Sequence, residues 1–311
     1  MQKFILAALC LVSYSVFAES AENPFVFDRQ ILKHDGKETH YYLLKSDSNP
    51  FKELLVLIQG SDCKSVVNNQ NMIKNFRGVL PNSDVLLVEK TGLTPDVGLD
   101  DPNALEEDCP VEYMKSDSYF ERVDNYIAVL NQLKNQYQHI VILGGSEGAI
   151  VTNIIASRVD FIDAAISLNG GGQFFINDVI YSINKSLPAE EAQGEIEGFN
   201  QFADAVFHDH LDDDQFPSNH GQNWWYEALT IDNKKLLQGV RKPHLVIQTL
   251  TDINVDVEGS QKMMSEVNNP NITYKTYSTL DHYFKDGHDN NQTAVVIADI
   301  QDWYTKLNIK K

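Results

Sequence analysis

The fold is decided by one stretch of the sequence, Ile140-Val141-Ile142-Leu143-Gly144-Gly145-Ser146-Glu147-Gly148-Ala149. The four apolar residues before Gly144 are typical of a short strand that is buried on both faces. Residues 149–155 are mostly apolar again and predict a buried helix. Ser146 therefore lies at a sharp turn between a strand and a helix. Residues 144–148 also fit the pattern G-x-S-x-G, which is found at such turns.

The turn predicts a strained serine backbone and a hydroxyl that is lifted above the edge of the sheet. Gly144 and Gly148 are expected where the strand and the helix pass too close for side chains. A glycine-rich turn that binds phosphate is the alternative interpretation. The sequence has no G-x-G-x-x-G pattern and no lysine placed as in a Walker loop, so we interpret Ser146 as a nucleophile.

A serine hydroxyl needs a base to take its proton and an acid to orient that base. Around a nucleophile turn of this kind, the acid and then the histidine follow the serine along the chain. Asp252 comes two residues after the predicted strand 245–250, and His282 comes just after the predicted strand 272–277. The sequence therefore predicts Ser146, Asp252 and His282 as a catalytic triad.

Each partner has rivals nearby. Asp256 and Glu258 lie farther along the same loop as Asp252, and His288 lies six residues after His282. We favour Asp252 and His282 because side chains at strand ends are held most firmly.

An oxyanion hole needs two backbone N–H donors. The residue after the nucleophile, Glu147, is expected to supply one. The other should follow the predicted strand 54–58, in Gln59-Gly60-Ser61, and we assign it to Ser61.

The rest of the chain alternates strands with helices, which predicts a mostly parallel, doubly wound α/β sheet. Asp35-Gly36 predicts a turn between two leading strands. Ser118 and Glu121 form a capping-box pattern, followed by an apolar face at Phe120, Val123, Ile127, Leu130 and Leu133. Other apolar runs predict strands over residues 25–32, 39–45, 54–58, 85–88, 140–143, 164–168, 245–250 and 272–277.

The strand rhythm stops between Gly172 and Lys242. That segment is acidic and aromatic, and we predict a cap over residues 172–242 inserted into a core of residues 23–171 and 243–311. Trp224-Trp225-Tyr226 is expected either to line a substrate pocket or to form the core of the cap. The run His208-Asp209-His210 with Asp212-Asp213-Asp214 is interpreted as a solvated acidic loop rather than a metal site.

Charge restricts the partners. The 311 residues carry 44 acidic and 25 basic side chains, for a net charge of −19. Such a surface repels nucleic acid and anionic membranes. The predicted triad chemistry indicates a small-molecule or peptide acyl substrate, and we expect neither a cofactor nor a metal.

The N-terminus predicts export. Lys3, an apolar run over residues 4–12 and the small residue Ala18 match a signal peptide over residues 1–18. Its removal would leave two cysteines, Cys63 and Cys109, and we expect them to pair in a periplasmic or secreted protein. The apolar run is too short to span a bilayer.

The chain resembles the α/β-hydrolase superfamily, in particular its acyl-peptidase-like and thioesterase-like esterase branches. The residues that carry the resemblance are 144–149, 248–255 and 280–284, together with Trp224-Trp225 before Arg241-Lys242-Pro243. The resemblance implies an α/β-hydrolase fold and a serine hydrolase with Ser146, Asp252 and His282 as its triad. Two departures are Gln59, where many relatives have histidine, and Ala149, where the peptidase branch often has glycine.

Three functions remain open on the sequence. The first is an exported serine esterase, the second a serine peptidase with the same mechanism. The third is a binding module on an inactive hydrolase fold. Because all three triad residues are present, we favour an enzyme over the binding module. The departures at Gln59 and Ala149 weaken the peptidase, so we favour the esterase.

Overall fold

The structure of the protein is a computed structural model that describes residues 25–95, 109–208, 211, 212 and 214–307. The predicted signal peptide lies outside these residues. Eight strands form one sheet in the order β1-β2-β4-β3-β5-β6-β7-β8. Their bounds are β1 Asp28–His34, β2 Lys37–Leu44, β3 Glu53–Ile58, β4 Asp84–Val88, β5 His139–Gly145, β6 Ala164–Leu168, β7 His244–Thr249 and β8 Ile272–Tyr277.

Pairing is antiparallel at one edge of the sheet and parallel elsewhere. β1 and β2 form a hairpin through Asp35 and Gly36, whose φ angles of 48° and 76° are those of a tight primed turn. β2 then pairs antiparallel with β4, and the pairs from β4 to β8 are parallel. The expected mostly parallel sheet is confirmed.

Helices cover both faces of the sheet. Alternate residues of β3 point to opposite sides, so Leu54 and Val56 pack with α3 and α4, while Leu55 and Leu57 share a core with α1 and α10. The helix bounds are α1 Gln70–Phe76, α2 Val111–Ser116, α3 Tyr119–Leu133, α4 Glu147–Arg158, α5 Phe175–Ser186, α6 Ala189–His208, α7 Gln222–Thr230, α8 Asn233–Gly239, α9 Val257–Glu266 and α10 Thr293–Lys306.

The buried face of α3 differs from the predicted one. Ser118 caps the helix by accepting from the Glu121 N–H, as expected. Phe120, however, is exposed, and the buried face begins at Tyr119 and includes Arg122. The predicted face was chosen from apolar residues alone. It therefore included Phe120, which is exposed, and left out Arg122, which is buried.

The segment between β6 and β7 consists of α5 to α8 and one short 3-10 turn in its described residues. Trp225 packs against Phe175, Phe199 and Phe202, so it is core rather than pocket lining. α8 lies on the sheet layers, where Leu237 packs with Val246 of β7. We refer to α5–α7 as the insertion.

Cys63 and Cys109 are joined by a disulfide, with their Cα atoms 5.6 Å apart. The bond links the loop after β3 to the start of α2. Both cysteines pack against a small core of Leu93, Tyr113 and Met114. No described helix combines the length and the apolar character that crossing a bilayer requires.

Candidate active site

Ser146 occupies the turn between β5 and α4 in a backbone conformation that non-glycine residues rarely adopt. Its φ is 55° and its ψ is −126°. Such a conformation costs about 1–3 kcal/mol and persists only where the surroundings impose it. Here the Ser146 N–H donates to Leu168 O at 2.8 Å, and its carbonyl accepts from the Ala149 N–H at 2.9 Å. The strain therefore lies at the predicted nucleophile.

Two glycines make this turn possible. A Cβ on Gly148 would lie 2.4 Å from Ile58 O, and one on Gly144 would lie 2.1 Å from Gly148 O. Both distances are shorter than any tolerated contact, as the sequence predicts. A Cβ on Gly145 would meet its nearest neighbour at 3.9 Å, so this glycine is not required by space.

His282 and Asp252 form a hydrogen-bonded pair. His282 Nδ1 lies 2.6 Å from Asp252 Oδ2, and the Asn254 N–H donates to Asp252 Oδ1 at 2.8 Å. Asp252 is 1% exposed, so its carboxyl group is shielded from solvent. With a proton on Nδ1 for this bond, the neutral ring carries its lone pair on Nε2, the atom needed to accept a proton.

Asn169 holds the His282 loop against the sheet, and sequence reasoning missed it. Its side-chain N–H donates to His282 O at 3.0 Å, and its side-chain oxygen accepts from the Thr249 N–H at 2.9 Å. The preceding residue, Leu168, binds the Ser146 N–H. Two consecutive residues at the end of β6 thus hold the backbones of the nucleophile and the base. The available signal was an asparagine directly after a strand, since asparagine tolerates the left-handed φ of 51° found here.

The rival residues lie elsewhere. Asp256 caps α9 by accepting from the Gly259 N–H at 2.8 Å, and Glu258 lies in the first turn of that helix. His288 is exposed, and its N–H donates to Asp286 at 2.9 Å. The structure thus brings Asp252, and not Asp256, onto His282. The catalytic roles of these residues remain predictions.

The two predicted oxyanion donors lie on neighbouring segments. Glu147 is the first residue of α4, so its N–H has no acceptor within the helix. A Cβ on Gly60 would lie 3.6 Å from Ser146 Cβ and 3.4 Å from Gly145 O. The loop that carries Ser61 therefore passes directly over the nucleophile turn.

Behind the turn, the Glu147 side chain is surrounded by donors. Glu147 Oε1 accepts a short ion-pair bond from Arg122 Nη1 and a 3.3 Å bond from Lys90 Nζ. The Trp224 indole N–H donates to Oε2 at 3.0 Å. Burial lowers the pKa of Lys90, against the opposing effect of Glu147. Burial also opposes the charge on Arg122, but Glu147 together with Tyr126, Asp117 and Tyr113 outweighs burial and raises the pKa of Arg122.

Asp117 and His220 adjoin these groups. Asp117 Oδ2 lies 2.9 Å from His220 Nδ1 and accepts from the Tyr113 hydroxyl at 2.7 Å. Burial alone would raise the pKa of Asp117, but the His220 bond and the charges of Lys90 and Arg122 lower it to about 2. We call Lys90, Asp117, Arg122, Glu147 and His220 the charged cluster.

The ligand atoms of Asp117, Glu147 and His220 lie within 4.8 Å of one another, close enough to share a metal ion. Arg122, Lys90 and Trp224 already donate to the Glu147 oxygens, and His220 is engaged with Asp117. Lys90 and Arg122 also balance the two carboxylates. This donor set is therefore a closed ion-pair cluster rather than a vacant ligand set. Asp209, His210 and Asp213 of the sequence's acidic run lie outside the described residues.

Asp178 on α5 is a fourth buried carboxylate near the site, after Asp252, Glu147 and Asp117. Its Oδ1 accepts from the backbone N–H groups of Gly172 and Asp256 at 3.0 and 2.8 Å. Burial outweighs these bonds and raises the pKa of Asp178 to about 7. The side chain ties the insertion to the loop that follows Asp252.

Comparison with known proteins gives one family match and many structural ones. Residues 117–240 match the family model described as BAAT / Acyl-CoA thioester hydrolase C terminal. That span includes Ser146 and the insertion but neither Asp252 nor His282. No curated protein sequence matches the chain.

Several solved structures are similar over most of this chain. Est1E from Butyrivibrio proteoclasticus has a TM-score of 0.56 at 14% identity, covering 89% of this chain and 98% of that one. The Pyrococcus furiosus esterase Pf2001 has a TM-score of 0.56 at 12% identity, covering 91% and 92%. The Pyrococcus horikoshii acylaminoacyl peptidase has a TM-score of 0.56 at 13% identity, covering 90% of this chain but 41% of that one. With the strand order and the strained serine turn, these likenesses show that the chain has the α/β-hydrolase fold.

Proposed function

We propose that the protein is an exported serine hydrolase that cleaves a carboxylic ester by acyl transfer. Ser146 is the nucleophile, His282 the general base and Asp252 the residue that orients the base. The observation that carries the proposal is the left-handed Ser146 at a strand-to-helix turn, held through Leu168 and Asn169 to the same strand end as a His282 paired with Asp252.

In the first step, His282 Nε2 takes the proton from the Ser146 hydroxyl as its oxygen attacks the acyl carbon. The imidazolium that forms keeps its Nδ1–H on Asp252 Oδ2, where the carboxylate stabilises the new positive charge. The carbonyl oxygen becomes negative and is received by the N–H groups of Glu147 and Ser61. The positive end of α4 points at the same place.

Collapse of this intermediate breaks the ester bond, and His282 returns its proton to the departing alcohol. Water then attacks the acyl-serine in the same way, with His282 again taking a proton. The acid is released and Ser146 regains its hydrogen.

Export is supported by the disulfide between Cys63 and Cys109, because such bonds persist in oxidising compartments. The signal-peptide pattern over residues 1–18 supports the same placement in the periplasm or outside the cell.

A thioester is the second candidate substrate, favoured by the family match over residues 117–240. Acyl-CoA itself carries several phosphate charges, and a chain with a net charge of −19 repels them. We therefore favour neutral esters over acyl-CoA. An amide is the third candidate, favoured by the likeness to an acylaminoacyl peptidase.

Fluorophosphonate labelling of the mature protein tests the mechanism. Wild-type protein should take up one label per molecule, and Ser146→Ala should take up none while staying folded. Ser265→Ala, which removes an exposed serine hydroxyl on α9, should label like the wild type. Equal labelling of Ser146→Ala and wild type would refute the proposal.

The leaving group is tested with one acyl chain carried by a neutral ester, a neutral thioester, CoA and an anilide. We expect kcat/KM to be highest for the neutral ester and the gap to CoA to narrow as salt rises. Faster turnover of the CoA thioester at all salt concentrations would favour the second candidate, and faster turnover of the anilide the third.

A further inference from the structure

The backbone N–H and the side chain of Glu147 contribute to two different sites. Its backbone N–H is a predicted oxyanion donor, while its side chain enters the charged cluster and is itself buried. Three donors from three separate segments hold the carboxylate: Lys90 after β4, Arg122 on α3 and Trp224 on α7. The position of the N–H is therefore set partly by what binds the side chain.

Arg122 also reaches the other arm of the oxyanion hole. Its Nη2 donates to Gln59 O at 2.7 Å, and Gln59 is two residues before Ser61. The two arms touch here, since a Cβ on Gly148 would lie 2.6 Å from the same Gln59 oxygen. One guanidinium thus bonds to both segments that carry the predicted donors.

We propose that Arg122 is a positioning residue that sets the distance between the Glu147 and Ser61 N–H groups. This inference rests on the proposed function. A guanidinium is rigid and planar, with its N–H groups in a fixed fork, so the bonds to Glu147 and to Gln59 O cannot shift independently. The ammonium of Lys90 is a single point of charge on a flexible chain and holds only one of the arms.

The charge balance of the cluster stabilises the clamp, by which we mean Arg122 with its bonds to Glu147 and to Gln59 O. Arg122 and Lys90 offset Glu147 and Asp117, and all four side chains are buried. A buried guanidinium stays charged at every pH at which the protein is folded. The charge on Arg122 is therefore the same before and after His282 takes a proton.

Arg122→Lys separates geometry from charge, because lysine keeps the positive charge and loses the fork. With a neutral ester, we expect kcat to fall about 10- to 100-fold, since a displacement of about 1 Å at a catalytic group has effects of that size. KM should change less than about threefold, because the oxyanion forms only after the substrate has bound. Arg158→Lys is the matched control. Arg158 pairs with Asp124 at the surface, so kcat should stay at the wild-type value.

A trifluoromethyl ketone analogue of the ester supplies a readout that a packing defect would not change. Ser146 adds to its carbonyl carbon, His282 takes the hydroxyl proton, and the resulting oxyanion occupies the hole. Fluorophosphonate labelling counts the reactive molecules in each preparation. For those molecules of Arg122→Lys, the affinity for the ketone should fall by the same factor as kcat/KM. An unchanged kcat would overturn the proposal. So would a lower kcat that is explained entirely by fewer reactive molecules, with the ketone affinity of each unchanged.

Glu147→Gln approaches the clamp from the other side and serves if Arg122→Lys does not fold. It keeps the backbone N–H and the shape of the side chain but weakens the bond to Arg122. We expect the same pattern, a lower kcat and a parallel loss of ketone affinity with little change in KM. Wild-type-like ketone affinity in this variant would also overturn the proposal. Wild-type protein that neither labels nor hydrolyses esters would refute the proposed function itself, whereas losses limited to these variants concern Arg122 alone.

Discussion

Two buried carboxylates near the Ser146 turn, Asp252 and Glu147, are held in different ways. Asp252 accepts from the His282 imidazole and from a backbone N–H, whereas Glu147 accepts from two cations and an indole. An imidazole gains and releases a proton near neutral pH, and a guanidinium does not. The Asp252 side is therefore suited to a charge that changes during a reaction, and the charged cluster to one that stays constant.

The largest expected effect is on the Asp252 side. Asp252→Asn removes the charge that stabilises the His282 imidazolium and the acceptor that fixes its tautomer, so kcat should fall about 10⁴-fold. Steady-state ester hydrolysis measures the loss. Asp256→Asn is the control, because asparagine also caps helices well and kcat should stay within about threefold of wild type. Equal losses in the two variants would contradict the assignment of the acid.

The disulfide lies beside the charged cluster. Both cysteines pack against the small core that contains Tyr113, and Tyr113 donates to Asp117 of the cluster. Replacing both cysteines with serine should lower the free energy of unfolding by about 4 kcal/mol, given the sequence separation of 46 residues. Urea denaturation measures the change. We expect the folded fraction of the variant to keep the bond between His282 and Asp252, and therefore its fluorophosphonate reactivity. An unchanged urea midpoint would contradict the prediction.

Gly148 lies where the first turn of α4 meets the end of β3. Gly148→Ala places a methyl group 2.4 Å from Ile58 O and should cost about 1–3 kcal/mol of stability as well as displacing the oxyanion arms. Gly145→Ala, one residue before the serine, should have a much smaller effect because its methyl group finds space. Thermal unfolding and kcat of the two variants distinguish them, and a reversed order would contradict the geometry.

Asp178 extends the comparison to a carboxylate whose Oδ1 is bonded by neutral backbone groups. Burial raises the pKa of Asp178 to about 7 in the folded protein, so the folded state binds more protons than the unfolded state between about pH 4 and pH 7. Its contribution to stability is therefore greatest at low pH and is lost as pH rises through 7. Between pH 6 and pH 8 the wild type should lose about 1 kcal/mol that Asp178→Asn does not.

Urea denaturation at the two pH values tests this effect. Asp124→Asn removes an exposed carboxylate that pairs with Arg158, and it should keep the wild-type dependence. Identical slopes for Asp178→Asn and wild type would show that Asp178 is ionised at low pH in the folded state.

The sequence was sufficient for the sheet and for the placement of Ser146, Asp252 and His282. Strands buried on both faces appear as continuous apolar runs, and the positions just after them meet at one edge of a parallel sheet. Local patterns of this kind indicate where a residue lies without any knowledge of its partners. The capping role of Asp256 was also within reach, because a helix start follows it directly.

The charged cluster could not be predicted in this way. Lys90, Arg122, Glu147 and His220 come from four separate segments, and no spacing relates them. Arginine is seldom buried, so nothing in the sequence of α3 indicates that Arg122 is buried. Only the packing of the insertion against α3 places Trp224 on Glu147 and encloses the cluster.

The strand order has a consequence for how the protein is made. Every member of the charged cluster precedes residue 225, as does Trp224. Asp252 and His282 come later, in the loops that follow β7 and β8 at one edge of the sheet. A chain synthesised from its N-terminus thus contains Ser61, Arg122 and Glu147 before it contains Asp252 and His282. Under the proposed mechanism, Ser146 therefore lacks its base until the residues that follow β8 have been synthesised.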